Sequence, residues 1–189
     1  MCRKNLWIIV VACFVCMSDC IARIDRQKKS KKIEQCGSAQ IGTMAPDFKL
    51  LNEEGVMVKL SDYKGKKVAL YFYPMDNTWG CTKQACSLRD GFTELKKAGI
   101  SIIGISADSV ASHQKFKRQR HLPYMLLSDT DQKVAHLYGT KRSWFLSWMG
   151  PQRVTFLIDE QGSIIDILKN IQLKKHADQV IKAFDKSKK

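Results

Sequence analysis

An α/β sandwich with a mixed β-sheet is the fold class this sequence predicts, and three observations predict it. Residues 68–73 form a continuous apolar and aromatic run, as expected for a strand buried on both faces, and residues 100–106 show another buried-strand pattern. Segments with apolar residues three and four apart follow each of them, which is the spacing of one helix face. Two further pairs of short apolar runs close around turn residues and read as hairpins. Strands joined by helices pair in parallel and hairpin strands pair antiparallel, so the sheet is mixed.

Taken from the N-terminus, Arg3 and Lys4 precede an apolar run over residues 6–17, the charged and hydrophobic regions of a secretory signal. The run falls short of the roughly 20 residues that cross a bilayer. Cys20-Ile21-Ala22 offers small residues for cleavage after Ala22. Residues 1–22 are therefore expected to be a signal peptide or, if retained, an N-terminal membrane anchor. The protein is then exported, periplasmic or secreted, or held at a membrane, rather than cytoplasmic. Residues 23–40 are basic and polar without apolar periodicity and read as a linker, and residues 41–189 as the folded domain.

Within that domain, residues 48–51 and 57–60 flank Asn52-Glu53-Glu54-Gly55 as a hairpin. The aromatic run 68–73 is stopped by Pro74 and is the candidate central strand. After a loop over 75–80, Ala85, Leu88, Phe92 and Leu95 predict one helix ending before Gly99. A strand over 100–106 leads to a polar helix over 109–120, with Val110, His113 and Phe116 facing inward. Pro123 precedes a short strand at 124–127, and residues 131–138 read as helix. Strands at 154–158 and 164–168 surround Glu160-Gln161-Gly162, and an amphipathic helix runs over 174–184.

Composition narrows the function. Apolar residues make up 44% and charged residues 26%, the balance of a soluble globular chain. The formal net charge of +14 is concentrated partly in the segment after the leader and partly in Lys182, Lys186, Lys188 and Lys189. No finger, homeodomain or aromatic-basic pattern accompanies that charge, so nucleic acid is not an expected partner. Neither glycine-rich phosphate loop occurs after a strand, which leaves nucleotide chemistry unsupported. No repeat of 20 to 50 residues is present.

Cysteine carries the remaining signal. Of seven, Cys2, Cys13, Cys16 and Cys20 lie in or beside the leader, and Cys36 sits in the polar linker as an incidental thiol. Cys81 follows the central strand and opens the next helix, where unpaired backbone N–H groups and the helix dipole favour an anion such as a thiolate. Thr78 can cap that helix or hold a substrate oxygen with its hydroxyl, and the first role does not exclude the second. Residues five apart on a helix are separated by about 7.5 Å of rise and about 140° of rotation, placing the Cα atoms of Cys81 and Cys86 roughly 8 to 9 Å apart. A disulfide needs less than about 7 Å, so cross-linking this pair requires the helix to unwind locally. The spacing alone also allows Cys86 to be an ordinary half-buried helical cysteine. Zinc would require Cys-x-x-Cys or histidine ligands that are missing nearby.

The segment Tyr71-Phe72-Tyr73-Pro74-Met75-Asp76-Asn77-Thr78-Trp79-Gly80-Cys81-Thr82-Lys83-Gln84-Ala85-Cys86 resembles the active-site segment of peroxiredoxins, in particular the bacterioferritin comigratory protein or Q-type subgroup. The family pattern P-x-x-x-T-x-x-C falls on Pro74, Thr78 and Cys81, and the subgroup's resolving cysteine falls on Cys86. Arg153-Val154-Thr155-Phe156-Leu157-Ile158-Asp159 is similar to the strand that carries the family's arginine, and Gly42-Thr43-Met44-Ala45-Pro46-Asp47-Phe48 to its entry motif. The resemblance covers about residues 41–184.

It implies a thioredoxin-like fold, a central mixed β-sheet flanked by helices, and a thiol-specific peroxidase that reduces hydrogen peroxide and organic hydroperoxides to water and alcohols. In that cycle Cys81 becomes a sulfenic acid, Cys86 condenses with it to a disulfide, and thioredoxin or a similar dithiol reduces the disulfide. Arg153 holds sulfur and peroxide oxygens, Thr78 orients the oxygen pair and Pro74 shields the pocket. No cofactor or metal is implied, and the expected assembly is a monomer or weak dimer. A redox-sensing thiol switch without fast turnover is the alternative.

Three features depart from the pattern. Trp79 stands where the subgroup often has proline. Trp144, Phe145, Trp148 and Met149 form an aromatic loop, which reads as packing or else as an apolar collar, a dimer contact or a membrane-facing patch. The leader is the third, because many relatives are cytosolic.

Overall fold

The aromatic run that reads as the central strand is an interior strand of a seven-stranded sheet, beside the middle one, in the computed structural model, which describes residues 39–142 and 144–187. In chain order the elements are β1 (Lys49–Asn52), β2 (Met57–Lys59), a 3₁₀ turn (Leu60–Tyr63), β3 (Lys67–Phe72), α1 (Trp79–Asp90), α2 (Phe92–Lys97), β4 (Ile100–Ser106) and α3 (Val110–Arg120). There follow β5 (Met125–Ser128), α4 (Lys133–Leu137), a second 3₁₀ turn (Trp144–Met149), β6 (Val154–Ile158), β7 (Ile164–Leu168) and α5 (His176–Lys186). The strand order is β2-β1-β5-β4-β3-β6-β7. β3 pairs in parallel with β4, and β4 with β5, while β6 runs antiparallel to β3. Both expected hairpins form at the edges, β1 with β2 and β6 with β7. These residues lie within the compact unit Gly37–Lys189. The leader, most of the linker and Cys36 lie outside the described residues. Among the described residues no helix is long and apolar enough to cross a membrane.

Alternation along β3 makes two cores. Ala69, Tyr71 and Tyr73 face one side, where they pack with Leu88 of α1, Leu95 of α2, Phe116 of α3 and Val180 and Phe184 of α5. Val68, Leu70 and Phe72 face the other, with Phe48, Tyr138, Phe156 and Val134 of α4. Each large apolar side chain removed from water in this way contributes about 1.5–3 kcal/mol, and β3 is buried on both faces because both layers are present.

Where β3 meets β4, Tyr71 needs space that only glycine leaves. A Cβ on Gly104 would stand 2.7 Å from the Tyr71 ring and 2.8 Å from Leu126. Gly104→Ala is expected to lower stability by about 1–3 kcal/mol, the usual range for overpacking. A urea midpoint unchanged from the parent would contradict that packing.

One sequence expectation needs revision. The single helix predicted through Ala85, Leu88, Phe92 and Leu95 is two, with Gly91 between them. A Cβ at Gly91 would lie 2.4 Å from the Ala177 Cβ, so the junction is where α5 presses against the helix pair. In the first hairpin, Asn52 at the end of β1 and Glu53 in the turn are buried, each 4% exposed. Asn52 Oδ1 accepts the N–H groups of Glu54 and Val56, and Glu53 accepts the Leu126 N–H and pairs with Lys117. Their polar atoms are satisfied, which is what lets the turn sink into the structure.

Candidate active site

The chain leaves β3 through Tyr73, whose N–H still donates to the Ile105 carbonyl at 3.1 Å. Pro74 has no N–H to continue the ladder, and the backbone turns away toward α1. A buried polar cluster holds this turn. Asp76 Oδ1 accepts from the Tyr73 hydroxyl at 2.8 Å, and its Oδ2 accepts from Ser112 Oγ at 2.7 Å and pairs with His113 Nδ1 at 2.9 Å. The Asp76 N–H donates to Asp108 Oδ2 at 2.9 Å. His113 Nε2 faces the Leu127 carbonyl at 3.1 Å, an oxygen that only accepts, so this nitrogen carries a proton. Asn77 then takes the left-handed conformation, φ 57°, which asparagine tolerates better than most residues.

Thr78 is the N-cap residue of α1, but its side chain does not cap. Its hydroxyl donates to the Met75 carbonyl at 3.1 Å, across the turn. Cys81 is the third residue of α1 and is 2% exposed. The Arg153 side chain arrives from the residue just before β6, and its Nη2 donates to Cys81 Sγ at 3.2 Å. Gly80 makes room for that approach, since a Cβ there would stand 3.3 Å from Arg153 Nη2. The second guanidinium nitrogen, Nη1, donates to Gln84 Oε1. A guanidinium and a helix N-terminus thus both face one sulfur, and each can stabilise negative charge that develops there.

Cys86 lies on the same unbroken helix and is half-buried, and the thiols of Cys81 and Cys86 are both free. The expected sites therefore fall into two groups. Cys81 and Arg153 are in direct contact, while Pro74 and Thr78 shape the turn leading to them. The aromatic segment adjoins this turn through Gly150. That glycine has φ 70°, and a Cβ on it would lie 1.9 Å from the Pro74 carbonyl oxygen. Trp79 and Trp148 are exposed, 71% and 73%, and Lys83 Nζ sits 3.6 Å from the centre of the Trp79 ring.

Two participants are absent from the sequence reading: Asp76 and Gln84. His113 is read there only as an inward-facing position. A buried polar residue three places after Cys81 is a signal that only the burial of Gln84, 0% exposed, makes visible.

The AhpC/TSA family matches residues 41–167 of the chain. The chain belongs to this family, and within it to the thiol peroxidases known as peroxiredoxins. Its relatives include a protein described as putative peroxiredoxin bcp of Coxiella burnetii, 46% identical over 147 residues, which span 76% of this chain and 97% of that one. Peroxiredoxin Bcp of Bacillus subtilis is 41% identical over 145 residues, 75% of this chain and 92% of its own. Among solved structures, peroxidoxin BcpB of Mycobacterium tuberculosis superposes with a TM-score of 0.73 at 34% identity, covering 78% of this chain and 97% of that one. The thioredoxin-like fold and the peroxidase class expected from the active-site segment are both confirmed.

Proposed function

We propose that Cys81 is the peroxidatic thiol and Cys86 the resolving thiol of a two-cysteine peroxidase cycle. The observation that carries this reading is the Arg153 guanidinium 3.2 Å from Cys81 Sγ at the first turn of α1. The Cys81 thiolate attacks the terminal oxygen of a hydroperoxide, forming an S–O bond as the O–O bond breaks. The sulfur is oxidised to sulfenic acid, and the leaving oxygen takes a proton to become water or an alcohol. Arg153 stabilises the thiolate and then the charge moving onto the departing oxygen. Thr78 orients the oxygen pair from the turn that Pro74 opens, and Pro74 limits water at the sulfur.

With both cysteines on one helix, the second step needs the first turns of α1 to unwind. The Cys86 sulfur then attacks the sulfenic sulfur, water leaves, and an intramolecular disulfide forms. Thioredoxin or a similar external dithiol reduces it by two thiol–disulfide exchanges. The apolar run at residues 6–17 supports export or anchoring of the chain at a membrane; if the leader is cleaved and the domain exported, the reductant must work outside the cytosol.

The test is peroxide consumption by the full chain supplied with thioredoxin, thioredoxin reductase and NADPH. Cys86→Ser is expected to consume about one equivalent of peroxide and stop, with the sulfenic acid trapped by a dimedone reagent. Sustained turnover by Cys86→Ser at the parent rate would remove Cys86 from the cycle. A parent chain inert toward hydrogen peroxide and organic hydroperoxides would end the peroxidase reading.

A further inference from the structure

Behind Arg153 lies a hydrogen-bonded row with no part in the cycle just described. His176, the first residue of α5, and Gln84 in α1 are both 0% exposed. His176 Nδ1 is 3.1 Å from Gln84 Nε2, and His176 Nε2 is 3.0 Å from Thr155 Oγ1 in β6. The His176 backbone N–H donates to Ser87 Oγ at 2.9 Å, which fastens the start of α5 to α1. Three elements therefore meet at one imidazole.

The direction of each bond follows from the guanidinium. Arg153 can only donate, so the Gln84 oxygen must face it, and the Gln84 NH₂ group must face His176. Nδ1 of His176 is then an acceptor and Nε2 carries the proton donated to Thr155, which defines a neutral ring in one tautomer. Burial, assisted by the nearby Arg153 charge, holds the His176 pKa down to about 3, in keeping with that form. A ring unable to accept at Nδ1 would release the Gln84 amide to rotate, and rotation would turn its NH₂ group toward the guanidinium.

We propose that His176 is a positioning residue of the peroxidase site: by accepting from Gln84 it fixes the amide oxygen on Arg153 and so fixes the guanidinium against Cys81. The inference rests on the peroxidase reading above. His176 touches neither substrate nor sulfur and acts only through Gln84.

Two variants of the full chain separate positioning from packing. His176→Phe keeps a ring of similar size and removes both hydrogen bonds. His176→Gln supplies an amide that can accept from Gln84 and donate to Thr155. In a Cys86→Ser background, the readouts are the rate of a single oxidation of Cys81 by hydrogen peroxide and the pH profile of Cys81 alkylation by iodoacetamide, followed by mass spectrometry of the Cys81 peptide. For His176→Phe the expected results are oxidation slower by about tenfold and an alkylation profile moved about one unit toward alkaline pH. His176→Gln is expected to stay within about threefold of the parent.

The inference is overturned if His176→Phe matches the parent in both readouts, or if both variants fall together in step with their melting temperatures. A parent that alkylates normally at Cys81 but never reacts with peroxide removes the peroxidase reading. The alkylation profile of His176→Phe then still decides whether His176 positions Arg153.

Discussion

Cys81→Ser protein is expected to retain no more than about one ten-thousandth of the parent's peroxide-reducing rate, a loss of the size seen when a catalytic nucleophile is removed. A hydroxyl in the same place is far less acidic and less nucleophilic than a thiol, and no other described cysteine faces the guanidinium. Stability should change little, since serine is close to cysteine in volume, although an apolar contact of a 2%-exposed side chain is weakened. Stopped-flow consumption of hydrogen peroxide by the reduced protein is the direct measurement. Residual activity above about one hundredth of the parent would assign the attacking thiol to another residue.

Arg153→Leu is the second large effect. The expected outcome is a fall of about 10²–10³-fold in the second-order rate of Cys81 oxidation, the cost of removing one preorganised donor from a transition state. Lysine is not a substitute: Arg153 uses two separate nitrogens, one on Cys81 Sγ and one on Gln84 Oε1, and a lysine ammonium cannot reproduce that planar fork. Arg153→Lys should therefore fall nearer to the leucine variant than to the parent. The measurement is a single oxidation under excess peroxide, so that slow reduction of the disulfide does not mask the step. A leucine variant within threefold of the parent would mean that the helix N-terminus alone activates the sulfur.

The sequence made the strands legible because their period is short and the flanking signals are strong. The unbroken run before Pro74 is β3, and its two buried faces follow from the layers on either side. The hairpins were readable from their turn residues for the same local reason. The break at Gly91 was not, because a glycine at helical spacing looks tolerable until Ala177, more than eighty positions later, is known to press on it. Thr78 shows a milder version, as the residue type marks the N-cap correctly while its hydroxyl turns to Met75.

Within the site, Cys81 was legible from its place after a strand and at the start of a helix. Arg153 was not legible from its own surroundings, where an arginine before a strand is ordinarily a surface residue; only the family resemblance brought it to Cys81. Gln84 and His176 carry no local signal, since one is a polar residue in a helix and the other a solitary histidine. Their meaning arises from a contact between residues ninety-two positions apart. The aromatic segment expected as a loop forms a 3₁₀ turn joined to the Pro74 turn by Gly150.

The close contact between Gly91 and Ala177 has a mechanical consequence for the proposed cycle. It holds the C-terminal end of α1 against α5, while the end that carries Cys81 is held by its turn, by side-chain bonds and by the burial of Cys81 and Gln84. For the proposed unwinding the helix would work as a cantilever with its root at α5. Buried Leu88 lies toward the root, and the proposed unwinding between Thr78 and Cys86 must move Cys81 and Gln84 out of buried positions. In the proposed cycle each round would bend a short lever and return it.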